Sequence, residues 1–252
     1  MNTVSEEIQV KVPEVCLVFW IIKILATTLG ETGGDAVSMS MNLGYLLSTG
    51  IFAVVFICAV MFQMYSKKFH PVTYWATIIA TTTVGTTLAD FADRSLGIGY
   101  AGGSTILLTL LLCSLLVWYR TMGSVSVSSI SSPKSEAFYW TTIMFSQTLG
   151  TALGDWVADT DGFGYAASAM IFGSVLAITA IVNYRTKVSR TVLFWIAFIM
   201  TRPLGAVVGD FLDKPISHGG LALSRYSATA TLLLMIFFLI FAFEHKPAQT
   251  AH

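Results

Sequence analysis

The sequence predicts an all-α, polytopic membrane protein of eight transmembrane helices, and three observations carry that prediction. Of its 252 residues, 55% are hydrophobic and only 11% charged, where a soluble domain carries about 25% charge. Stretches long and apolar enough to cross a bilayer alternate with weaker ones. The alternation recurs four times in register. This composition excludes a disordered chain, a nucleic-acid-binding protein and an ordinary cytosolic enzyme. Cys16, Cys58 and Cys113 lie in apolar runs without paired spacing and are expected to be buried, inert thiols. No cleavable leader is expected, because Glu6, Glu7 and Lys11 precede the first apolar run and no small-residue cleavage site follows it.

A spanning helix needs about 20 mostly apolar residues. Segments 42–64, 99–119, 164–184 and 223–243 meet this plainly. Segments 14–36, 72–91, 137–156 and 189–211 start apolar, then turn rich in Gly, Thr and Ser toward an acidic end. Each weak segment carries an early tryptophan: Trp20, Trp75, Trp140 and Trp195. Ten residues on stand Gly30, Gly85, Gly150 and Gly205, and fourteen on Gly34, Ala89, Gly154 and Gly209. Position 15 is always aspartate: Asp35, Asp90, Asp155 and Asp210. Position 24 is always glycine, Gly44, Gly99, Gly164 and Gly219, followed in three repeats by Tyr45, Tyr100 and Tyr165. Such registered identity is the signature of a tandem repeat.

The tryptophans are 55, 65 and 55 residues apart. The extra residues fall in a Ser-rich stretch, so the chain reads as repeats 1 and 2 (1–120), a flexible cytoplasmic linker (121–136), and repeats 3 and 4 with a short tail (137–252). Two spans per repeat bring every copy into the membrane in the same direction. Parallel repeats related by a pseudo-fourfold axis along the membrane normal follow, and inverted-repeat transporter folds do not.

From about residue 15 to 243 the sequence resembles a bacterial integral membrane family built from four tandem two-span repeats of unknown function, with Trp20, Trp75, Trp140 and Trp195 as its hallmark. The resemblance implies this architecture and a multi-pass place in the bacterial cytoplasmic (inner) membrane. It implies no activity.

Nine basic residues, among them Lys67, Lys68, Arg120, Lys134, Arg185, Lys187 and Arg190, fall on the side of both termini, against Arg94, Lys214 and Arg225 on the other. The positive-inside rule therefore places both termini in the cytoplasm. The acids run the other way. Glu31, Asp35, Asp90, Asp93, Asp155, Asp159, Asp161, Asp210 and Asp213 gather at the far ends of the weak helices, a negative mouth that concentrates cations. Of these, Asp93, Asp159, Asp161 and Asp213 are expected in loops.

A carboxylate in the outer part of a roughly 30 Å apolar core is costly unless it faces water, a partner or a cation. Positions 0, 7, 10, 11, 14 and 18 after the tryptophan lie near one helical face. Four such faces around an axis would assemble Asp35, Asp90, Asp155 and Asp210 over a path lined by Thr27, Thr28, Thr82, Thr83, Gln147 and Thr148. Oxygen donors of this kind suit Mg²⁺, Ca²⁺ or Mn²⁺. Helix-end aspartates as boundary signals and small-residue faces as packing surfaces are the competing reading.

The repeats differ where chemistry is most exposed. Repeat 1 has Glu31 where the others have Thr86, Thr151 and Ala206, and Lys23 where the others have Ile78, Ile143 and Phe198. Repeat 4 has Arg202–Pro203 in place of Thr27–Thr28, Thr82–Thr83 and Gln147–Thr148. Glu31 lies one turn from Asp35, so the two could chelate one metal ion. Arg202 reads as a charge gate over an acidic site, or as a partner of Glu31 or Asp210. Pro203 should bend its helix and free a carbonyl. Lys23 is either a charge partner in the membrane or snorkels to the near surface. Met39 and Met41 form a weak soft-metal pattern, and His218 is a lone loop histidine. No HExxH, CxxC, P-loop, GxSxG or dinucleotide motif occurs.

The reading is a non-enzymatic transporter of a divalent cation such as Mn²⁺, with export taken as its direction, binding the ion through Asp35, Asp90, Asp155, Asp210 and Glu31. It needs no cofactor. Its partners are the bilayer and an inorganic cation, with no nucleic acid, as a monomer or homodimer. The alternative is a membrane scaffold or sensor whose aspartates are structural and pair with Arg202, Lys214 and Arg225.

Overall fold

The computed structural model describes residues 10–159 and 163–248. Among the described residues there are eight long helices: α1 (Leu17–Asp35), α2 (Gly44–Tyr65), α3 (Pro71–Asp90), α4 (Gly99–Met122), α5 (Pro133–Asp159), α6 (Gly164–Arg185), α7 (Arg190–Asp213) and α8 (Arg225–Ala242). There is no strand among the described residues. Six of the eight are long and apolar enough to cross a membrane, α3 and α5 being the exceptions. The fold is that of a polytopic membrane protein.

The weak and strong segments of each repeat become inner and outer helices. α1 packs against α3 and α7, and α5 against the same two, so the four tryptophan helices close a ring. Each outer helix leans on the inner helix of the next repeat: α2 on α3, α4 on α5, α6 on α7 and α8 on α1. The most apolar stretch of α2 is only 6% buried, against 61% for α1 and α7. Lipid is a solvent for Leu and Phe, so helices that are apolar all round belong outside, while threonines and charges turn inward to one another. Cys58 and Cys113 lie on the outer helices α2 and α4 and Cys16 just before α1, and all three are exposed, contrary to the expected burial.

Glycine at position 10 sets the ring's closeness. A Cβ on Gly30 would collide with the Thr82 side chain, one on Gly150 with Arg202, and one on Gly205 with Thr27, while one on Gly85 would meet the Gln147 backbone at 3.0 Å. In every case the contact is to position 7 of the next inner helix, the fourth closing back on the first. The glycines at position 24 serve another purpose. Gly44, Gly99, Gly164 and Gly219 all have φ between 66° and 82°, the left-handed turn that leads the chain out of each acidic end.

The helices also run further than the sequence suggests. α1 and α3 each continue into a five-residue π-helical turn, Ala36–Ser40 and Phe91–Ser95, and α7 runs unbroken through Pro203 to Asp213. At the other end, the Ser-rich stretch is not a free linker. It forms a 3₁₀ turn, Val127–Ser129, inserts Val127 and Ile130 into the main core, and gives up its last residues to α5, which starts at Pro133. Val12 joins the same core, and the chain around it pairs with the tail through Glu14 N–H to Lys246 O and Ala248 N–H to Val12 O, both 2.8 Å. Both termini of the described chain therefore lie together at that end.

Candidate functional site

Five layers of side chains stack along the ring axis, one from each turn of the inner helices, at positions −1, 3, 7, 11 and 15 from the tryptophan. This axial face differs from the expected one. The tryptophan itself, at position 0, is displaced from the axis into the contacts between helices.

The first layer, at the end of the termini, is aromatic: Phe19, Tyr74, Tyr139 and Phe194, all buried, with the Tyr74 and Tyr139 hydroxyls hydrogen-bonded at 2.6 Å. The second is Lys23, Ile78, Ile143 and Phe198, with no solvent exposure at all. Lys23 does not snorkel. Its Nζ stands 4.2 Å above the Phe198 ring centroid and has no hydrogen-bond partner among the described residues.

The third and fourth layers are joined by Arg202, the residue expected to be a gate or a charge partner. Arg202 is fully buried and crosses the axis to all three other inner helices. Its Nη2 donates to Glu31 Oε2 at 3.0 Å on α1, to Thr86 Oγ1 at 2.6 Å on α3, and to Thr151 Oγ1 on α5. Of the two partners weighed for Arg202, Glu31 is the one in contact. A buried arginine leaves water at a cost of several kcal/mol, offset here by a carboxylate and two hydroxyls. Thr86 and Thr151 thus belong to the site. They were noticed in the sequence only as the residues that Glu31 replaces.

The threonines expected along a path bond to helix carbonyls. Thr27 Oγ1 donates across to Thr201 O at 3.1 Å and Thr82 Oγ1 to Ala26 O at 3.2 Å, tying neighbouring inner helices together. Thr28, Thr83 and Thr148 bond the carbonyl one turn back on their own helices. Gln147 is buried, and neither amide atom has a hydrogen-bond partner among the described residues.

In the fifth layer Asp35, Asp90, Asp155 and Asp210 are all buried and arranged as two bridged pairs. Arg94 holds Asp90 at 3.0 Å and Asp155 at 2.9 Å. Lys214 holds Asp35 at 2.6 Å and Asp210 at 2.9 Å. Both cations stand at position 19, one turn beyond the aspartate of their own helix. The extra helical turn makes that placement, and Asp93 and Asp213, expected in loops, ride on it. Asp213 is buried and pairs with Arg225 at 2.7 Å, while Asp93 packs into the space above Gly103. Asp159 ends α5 and accepts from Tyr100 Oη at 2.8 Å. Asp161 lies outside the described residues.

Among the described residues one group of acids has metal-ligand spacing. Oxygens of Glu31, Asp35 and Asp210 lie within 4.8 Å of one another, all three side chains buried. Asp35 Oδ1 is buried there with no hydrogen-bond partner. Asp90 and Asp155 fall in the other bridged pair. His218 and Met41 are exposed on the outer turns and join neither group.

The repeats on which this site is built match a known family model, the Repeat of Unknown Function (DUF347), four times in succession, over residues 18–69, 73–124, 138–189 and 193–247. The chain belongs to the DUF347 family. Each match begins within two residues of a hallmark tryptophan, so the DUF347 unit is one inner helix followed by one outer helix. No curated protein and no solved structure matches the chain.

Proposed function

We propose that this DUF347 protein carries a divalent cation of the Mn²⁺ class across the bacterial cytoplasmic membrane, with both termini inside and export as the direction. The observation that carries the reading is the convergence of Glu31, Asp35 and Asp210 within 4.8 Å, all three buried within the helix bundle. Three buried carboxylates supply only hard oxygen donors, which suit Mn²⁺, Mg²⁺ or Ca²⁺. Lys214 occupies this site as a tethered ammonium, and an incoming ion would replace it. Arg202 then acts as the gate. It holds Glu31 in the resting ring, and a cation drawing Glu31 outward would loosen its grip on the axis. No nucleotide-binding motif is present, so the ion's own gradient or protons on the carboxylates would drive the cycle. No nucleophile–base pair suggests enzymatic chemistry.

The scaffold reading has an observation of its own: each of the four registered aspartates is ion-paired, and the terminal end of the axis is filled with aromatic rings. Cellular metal content separates the two. Cells expressing the wild type should differ from empty-vector cells in Mn, Mg or Ca, and the Asp35→Asn, Asp210→Asn double variant, expressed in the membrane to the same level, should remove the difference. Equal metal contents and equal metal tolerance in all three strains would reject transport in favour of the scaffold.

A further inference from the structure

The ring's closing seam, between repeats 4 and 1, carries a feature unrelated to the axis. Trp75, Trp140 and Trp195 are buried at 0%, 3% and 5% exposure, but Trp20 is only half-buried. Trp195, for comparison, is covered by the Ser-rich segment and donates from Nε1 to Val125 O at 3.0 Å. Trp20 opens onto a groove of about 670 Å³ between α1, α6 and α7.

The groove has two kinds of wall. Its length is apolar, with Leu17, Trp20, Ile24, Leu176, Ala180 and Phe194 among the lining side chains. Its mouth, at the end of the termini, is polar and basic. Arg190 opens α7 there and donates from Nη1 to Asn183 Oδ1 at 2.5 Å, and beside the lining residues Arg185, at the end of α6, and Lys187, in the turn that follows, lie exposed. Arg190 also stands at the first turn of a 24-residue helix, whose free N–H groups favour an anion. From Leu17 to Ile24 the groove runs about 10 Å at 1.5 Å per residue. That is roughly two thirds of the ~15 Å hydrocarbon depth of one leaflet.

We propose that this groove is a binding site for an anionic phospholipid of the leaflet on the side of the termini, with an acyl chain along Leu17, Trp20 and Phe194 and the headgroup phosphate at Arg190. The combination of apolar length and basic mouth selects that occupant. A neutral lipid would leave Arg190, Arg185 and Lys187 without a counter-charge, and a free anion would leave the apolar walls unfilled. Basic pockets between membrane helices recognise acidic headgroups in this way.

The test uses the full chain in phosphatidylcholine vesicles in which a minority lipid carries bromine on its acyl chains, either phosphatidylglycerol or phosphatidylcholine. Trp20 quenching is read as the difference between the wild type and Trp20→Phe. Brominated phosphatidylglycerol should quench Trp20 more strongly than brominated phosphatidylcholine at equal mole fraction. Arg190→Gln, an exposed site that does not threaten folding, should lower that preference about fivefold, and adding Lys187→Gln should lower it further. Ala180→Phe should fill the groove and abolish Trp20 quenching by the acidic lipid with the basic mouth intact. Equal quenching by the two lipids, or a preference unchanged in Arg190→Gln, would overturn the proposal. Reversal of the quenching by millimolar inorganic phosphate would assign the mouth to a free anion and overturn it as well.

Discussion

The acidic end of the ring has two halves built on one plan. In repeats 2 and 3 a cation at position 19, Arg94, bridges its own Asp90 and the next helix's Asp155; in repeats 4 and 1 Lys214 bridges its own Asp210 and the next helix's Asp35. Repeats 1 and 3 have Met39 and Asp159 at that position. The backbone is therefore fourfold while the charge is twofold. The halves then diverge in two ways. Arginine presents a rigid fork that satisfies two carboxylates through separate nitrogens, whereas lysine offers one compact point charge on a flexible stem. And only the second half adds a third carboxylate, Glu31, held from below by Arg202. The Arg94 half is a fastener. The Lys214 half has the same fastening charge but a surplus of acid and a single point charge as its bridge.

The largest effect expected from breaking this asymmetry is at Arg202. Arg202→Met leaves Glu31 buried without its partner, and such a loss costs about 3–5 kcal/mol. Thermal unfolding in detergent should show a strongly lowered midpoint, and Glu31→Gln added to it should restore most of the loss, because the stranded charge goes with it. A double variant no better than the single would mean that Arg202 acts through its hydroxyl partners Thr86 and Thr151 rather than through Glu31.

A smaller loss is expected from the glycines. Gly205→Ala sets a methyl against Thr27 in the Lys214 half, and Gly85→Ala sets one against the Gln147 backbone in the Arg94 half. Overpacking of this kind costs about 1–3 kcal/mol. Gly50→Ala, where a Cβ meets open space, should be neutral. A larger loss at Gly205, where the methyl would overlap the Thr27 side chain and backbone, than at Gly85, where it would meet the Gln147 backbone at 3.0 Å, is what these approaches require. A tolerated Gly205→Ala would show that the seam between repeats 4 and 1 is the looser one.

Much of this was legible in the sequence because registered positions convert directly into layers. The four aspartates, the alternation of inner and outer helices and the departures at Glu31, Lys23 and Arg202 all follow from counting residues from a tryptophan. What counting does not supply is which face turns to the axis. Positions 0 and 7 and positions 7 and 11 lie on overlapping faces, and the choice rests on how the neighbouring helices fit together in three dimensions. The bridging role of Arg94 was missed for a different reason. A sequence reading ends the helix at the acidic residue, but the chain keeps turning through Phe91–Ser95, and that turn carries position 19 back over position 15. Val127 and Ile130 were hidden by their neighbours, since a run of serines reads as solvated whatever two apolar residues within it do.

The finest test of the two halves exchanges their bridges for uncharged side chains. Lys214→Met removes the ammonium that lies between Asp35 and Asp210 and leaves three buried carboxylates with no cation nearer than Arg202 and Arg225. Metal affinity follows the count of negative ligands, so Mn²⁺ binding to the purified protein, measured by calorimetry, should tighten by roughly tenfold. Arg94→Met removes as much charge from the other half, but Asp90 and Asp155 there lack a third carboxylate, so Mn²⁺ affinity should stay within about twofold of the wild type. If Lys214 is the ion's competitor, tighter binding should come with slower passage, because the ammonium that resists entry also helps expel the ion. A Lys214→Met protein that binds Mn²⁺ no better than the Arg94→Met protein would make the two bridges equivalent, and both halves would then be fasteners.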